Sequence, residues 1–119
     1  MNVMDLEKYC LSKEGCVKSY PFDEYTAVYK LENKIFALSK DTQVPLRVNL
    51  KCTPLYALEL RSLYANIIGG YHMNKKHWNT VMMGGDVDED LLKSLIDDSY
   101  ALILASLSKK LQAKILLST

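Results

Sequence analysis

Leu46-Arg47-Val48-Asn49-Leu50-Lys51, followed by Cys52-Thr53-Pro54, is the stretch whose reading decides the fold. Its first six residues alternate apolar and polar side chains strictly, the period-two pattern of a half-buried strand with one wet face. Thr53-Pro54 then reads as a helix start. A threonine hydroxyl can cap an orphan amide, and proline fits the first helical position. Strand and helix thus meet within one short span.

Upstream, Tyr25–Leu31 and Ile35–Ser39 read as a hairpin closed by Glu32-Asn33-Lys34, and Cys16–Tyr20 is strand-like. A first helix is expected from about Val3 to Lys13, with Val3, Leu6 and Cys10 at helical spacing and Gly15 as its stop. Downstream, the Thr53-Pro54 helix carries Leu55, Leu58, Leu63 and Tyr64 to about Ala65. Ile67-Ile68 begins an extended segment broken by Gly69-Gly70, and Trp78–Met83 is a strand ended by Gly84-Gly85. A last helix starts at Asp88 and carries Leu91, Leu92, Leu95, Ile96, Ser99, Leu102 and Ile103 on one stripe. Leu107, Leu111 and Ile115 continue or follow it, and would be a partner-binding face if they did not pack on the domain. Hairpins supply antiparallel pairs and the helical stripes need a sheet to bury against. The predicted class is a two-layer α+β domain over residues 1–119, a mainly antiparallel sheet covered by helices in the order α-β-β-β-α-β-β-α.

Composition narrows the functional classes. The chain has 119 residues, 49% of them hydrophobic and 24% charged, with a net charge of +1. No apolar run approaches the ~18 residues that span a bilayer. The amino terminus has no basic or apolar leader pattern, so a cytoplasmic location is expected and no membrane association. Three cysteines without C-x-x-C spacing fit free thiols better than a disulfide framework or zinc. Bulk charge argues against a general DNA coater, whose domain pI usually exceeds ~9. A polyanion site has to come from local clustering.

Such a cluster exists. Gly70-Tyr71-His72-Met73-Asn74-Lys75-Lys76-His77-Trp78 gathers both histidines, the single tryptophan and a lysine pair. Together with Tyr9-Cys10, Val48-Asn49-Leu50-Lys51, Asp97-Asp98-Ser99-Tyr100 and Lys109-Lys110, this segment resembles the MmcQ/YjbR family of small bacterial proteins, to which DNA binding has been ascribed. Members often have proline where this chain has Gly69, and a basic residue where it has Gln112. The resemblance implies a two-layer fold similar to secretion chaperones and a DNA-binding activity. It brings no catalytic residues.

The chemistry fits that implication. Lysine, arginine and histidine can meet phosphate oxygens, asparagine a phosphate or a base edge, and tryptophan can stack on an unpaired base. The candidate nucleic-acid-binding residues are Arg47, Lys51, His72, Asn74, Lys75, Lys76, His77 and Trp78. Arg47, Asn49 and Lys51 share one strand face, which would extend the loop's basic surface if the two stretches paired in the sheet. The alternative for Trp78 is a core anchor, with the lysines as solvated loop charges. No metal, cofactor or enzymatic activity is expected. The competing functions are a protein-interaction module, chaperone-like or homodimeric, and more remotely an enzyme acting on a small molecule.

Overall fold

In a computed structural model, residues 1–70 and 73–117 are described. The chain runs α1 (Val3–Leu11), β1 (Cys16–Ser19), β2 (Thr26–Leu31), β3 (Lys34–Lys40), β4 (Arg47–Lys51), α2 (Pro54–Leu63), β5 (Ile67–Gly69), β6 (Trp78–Met82), α3 (Glu89–Ser106) and α4 (Lys109–Leu117). The strands form one sheet in the order β1-β2-β3-β4-β6-β5, every neighbouring pair antiparallel. The α+β class and the layering are those expected. The element order gains a strand, because Cys16–Ser19 pairs with β2 as a short edge. It also gains a helix, because the chain breaks at Leu107 and restarts where the Ser108 hydroxyl accepts the Leu111 N–H at 3.2 Å.

Each helix begins where its sequence offers a cap, with one exception. Asn2 and Asp5 form a reciprocal capping box on α1, and Asp88 accepts the Leu91 N–H at 2.8 Å on α3. Thr53 makes no side-chain cap bond, so Pro54 alone shapes the start of α2.

Alternation along the strands divides the sheet into two faces. Tyr29, Leu31, Val48, Leu50, Ile67 and Val81 join one buried cluster with Leu6 and Cys10 of α1, Ala57 and Leu60 of α2, Leu92, Leu95, Ile96 and Ile103 of α3, and Ile115 of α4. All four helices therefore cover the same face; the other, which carries no helix, is the open face, although Thr26, Val28 and Thr80 are buried on it. The stripe Leu107, Leu111, Ile115 packs on that core, with Leu111 half-buried at its edge.

A bulge shapes the sheet. Tyr29 faces Ala37 while Lys30 faces Ile35, which leaves Phe36 as an extra residue in β3. Such insertions bend the strand and sharpen the local twist. Phe36 turns into the core, edge-on to Tyr100 of α3 at 5.5 Å between ring centres. Where β3 and β4 stop pairing after Ala37 and Leu50, the Ser99 hydroxyl stands between them. It accepts the Lys51 N–H at 2.9 Å and donates to the Phe36 carbonyl at 2.6 Å.

Candidate nucleic-acid interface on the open sheet face

Pairing of β4 with β6 sets Lys51 opposite Trp78, Asn49 opposite Thr80 and Arg47 opposite Met82. Residues directly opposite in an antiparallel pair share a face, and this is the open one. Arg47 is exposed, and Asn49, Lys51 and Trp78 are half-buried. Trp78 stands outside the core cluster, on the wet side of the sheet. Four residue steps along the strand separate Arg47 from Lys51, about 13 Å at the usual rise, so the patch is elongated.

The β5–β6 connection delivers the remaining candidates. Asn74 organises it: its side-chain oxygen accepts the Lys76 N–H at 2.9 Å, and its carbonyl accepts from His77 and Trp78 at 3.1 and 2.9 Å. The Cys52 N–H donates to the His77 carbonyl at 2.8 Å, which ties the loop to the end of β4. A Cβ on Gly70 would stand 2.8 Å from the Trp78 Cβ, so only glycine permits that crossing. The stem of Lys75 lies over Gly69, 3.2 Å from where a Cβ there would be. Asn74, Lys75 and Lys76 are exposed and His77 is half-buried. His72, with Tyr71, lies outside the described residues.

One positioning residue escaped the sequence reading. Arg61 of α2 reaches beneath the loop, where its Nε donates to Asn79 Oδ1 at 2.7 Å and its Nη2 donates to the Lys75 carbonyl. Asn79 is itself buried and donates to the Ala57 carbonyl at 3.4 Å. The available signal was helical spacing, since Arg61 follows Ala57 by four residues and so shares its inward side.

The described cations of this region are not held by carboxylates. Among the described residues the ion pairs are Lys13–Asp97, Lys18–Glu7, Lys93–Glu89 and Lys114–Glu32. None uses Arg47, Lys51, Lys75 or Lys76. Lys109 and Lys110 begin α4, in the helical layer, and do not join the patch.

The other residues behind the family resemblance hold the layers together. Tyr9 donates to Asp97 Oδ1 at 2.7 Å, and Lys13 pairs with the same carboxylate. Tyr100 donates to the Glu14 carbonyl at 2.6 Å, and Ser99 bridges β3 and β4. A family model named YjbR matches residues 11–102, most of the chain. The chain belongs to the YjbR family. It is 40% identical to YbdF of Escherichia coli O157:H7 over 96 residues, 81% of this chain and 79% of that protein. It is 32% identical to YjbR of Escherichia coli K12 over 100 residues, 84% and 85% of the two chains. The crystal structure of Deinococcus radiodurans protein DR2400, a DUF419 domain, superposes with a TM-score of 0.91 at 36% identity, covering 98% of this chain and 88% of that one. A Pseudomonas syringae crystal structure gives 0.74 at 27% identity, covering 87% and 99%. The YjbR chain described here thus has its Asp97–Tyr100 motif in the scaffold and its Asn74–Trp78 motif at the surface.

Proposed function

We propose that this YjbR protein binds nucleic acid without catalysing a reaction, through the open sheet face and the adjoining loop. The observation that carries this reading is the grouping of unpaired cations. Arg47 and Lys51 share the open face with Trp78, the adjoining loop adds the exposed Lys75 and Lys76, and none of these four is held in an ion pair among the described residues. Lys51 takes a phosphate beside Trp78, Lys75 and Lys76 add contacts at the edge of the sheet, and Arg47 extends the track along β4.

Four phosphate contacts give a log–log salt slope of about −3.6 on B-DNA, a modest and strongly salt-sensitive affinity. Fluorescence anisotropy with labelled single- and double-stranded DNA tests it. Absence of binding at about 100 µM protein in low salt sinks the reading. Replacing Lys75 and Lys76 together by alanine is expected to flatten the duplex slope by up to ~1.8.

A second reading, a protein-interaction or homodimer surface, is favoured by α2. Leu55, Leu58 and Leu63 are 83%, 59% and 62% exposed on it. Light scattering tests this directly: a dimer dispersed by Leu58→Lys would support it, and a strict monomer would remove the homodimer.

A further inference from the structure

On the open face, next to the basic loop, the sheet encloses a groove of about 630 Å³. That falls within the ordinary range for pockets that hold organic ligands. Its walls are apolar: Leu38 from β3, Ile68 from β5 and Met73 from the loop, with Phe22, 67% exposed, at the rim. Asn49 and Thr80 face each other across β4 and β6 and also line it.

The Asn49–Thr80 pair sets the polarity of the lining. The Thr80 hydroxyl donates to Asn49 Oδ1 at 2.5 Å, which occupies the oxygen end of the carboxamide. The nitrogen end keeps two N–H donors with no partner among the described residues. The groove therefore offers donors to a ligand's acceptor atoms. Among the described residues its charged lining consists of Arg47 and Lys40, with no carboxylate. Asp23 attends Lys40 electrostatically from outside the lining, which leaves Arg47 as the uncompensated cation.

We infer that this groove receives one unpaired base of a single-stranded nucleic acid whose neighbouring phosphates lie on Lys51 and Lys76. The inference rests on the nucleic-acid reading above and narrows it to single strands. A base presents an apolar π-face to Phe22, Leu38, Ile68 and Met73, ring and carbonyl acceptors to the Asn49 amide, and its own phosphate to Arg47. Stacking of this kind tolerates any sequence, because every base has such a face. A duplex keeps its bases stacked on one another and cannot fill a concavity, whereas a single strand splays them out. Arg47 and Asn49 belong to the groove and to the β4 track alike, so strand and base occupy one continuous surface.

The experiment compares a short labelled oligodeoxythymidylate with a duplex of equal length at one low salt concentration. Wild-type protein is expected to bind the single strand about tenfold more tightly. Leu38→Trp and Ile68→Trp fill the groove from opposite walls and are expected to abolish that preference while leaving duplex affinity and its salt slope unchanged. Ile68 is 53% exposed on the edge strand, so its replacement by another strand-favouring residue leaves folding intact. Equal affinity for the two forms overturns the inference and leaves the proposed function standing, as does a single-strand preference that survives in Ile68→Trp. Displacement of the strand by free thymidine monophosphate at concentrations matching the oligonucleotide also overturns it, in favour of a small free ligand. Failure to bind either nucleic acid overturns the proposed function and this inference together.

Discussion

Arg61 shows how a single side chain can govern a site without facing it. Its guanidinium joins the buried carboxamide of Asn79 to the loop carbonyl of Lys75, so the α2 helix sets where the lysine pair stands. Arg61→Ala removes both bonds and leaves Asn79 Oδ1 buried with one partner fewer, which costs about 1–3 kcal/mol. Urea unfolding is expected to show that loss. DNA affinity is expected to fall with the salt slope unchanged, because a displaced loop weakens contacts without deleting a phosphate partner. A slope flattened by about 0.9 would instead make Arg61 itself a phosphate ligand. Arg61→Lys is expected not to rescue, since a single ammonium does not reproduce a fork that spans two acceptors.

At the scale of elements, the junction of α3 with β3 and β4 is the sensitive point. The bulge at Phe36 parts the two strands, and the Ser99 hydroxyl replaces the ladder bond that Lys51 and Phe36 would otherwise share. Ser99→Ala is expected to lower stability by about 1–3 kcal/mol, read as a shift in urea midpoint, because it strands a backbone donor and acceptor in the interior. Amide exchange at Lys51 is expected to accelerate in the same variant; unchanged protection there would contradict the bridging role. The sequence showed much of this level. Strict alternation in β4 placed Arg47, Asn49 and Lys51 on one face, and the stripe of α3 named its buried residues, because both signals are local periodicities. The inward side of α2 was not legible. Its leucines drew attention as the apolar set, yet Ala57 and Leu60 are what the sheet covers, and Leu55, Leu58 and Leu63 face outward. Arg61 and the groove were invisible for a related reason. Each exists only where chain segments distant in sequence meet, as when Leu38, Asn49, Thr80 and Ile68 line up across four strands.

For the molecule as a whole, a net charge of +1 includes four ion pairs among the described residues, and neither Arg47 nor Lys51 of the open face belongs to one. The helical layer also buries ionisable groups that favour the neutral form. Burial pushes the Cys10 thiol up to about 12, with a smaller contribution from Cys16, and burial pushes Cys16 to about 12 as well. Tyr29, 1% exposed, is raised above its ordinary value by the same cause. In the unfolded chain these thiols ionise near 9, while in the folded protein they keep their protons. Between those two values the unfolded state therefore binds fewer protons, and stability falls as pH rises. The contribution is fully present below about pH 9 and is lost progressively toward pH 12, at up to about 1.4 kcal/mol per pH unit for each group. Urea midpoints measured at neutral pH, pH 9 and pH 10.5 are expected to hold level and then drop. Cys10→Ala is expected to shallow the alkaline drop even though it lowers stability at neutral pH, since it removes a titrating group along with its packing. A midpoint that stays flat to pH 11 would mean that Cys10 and Tyr29 reach solvent in the folded protein, and that the layer over β2 is looser than its packing shows.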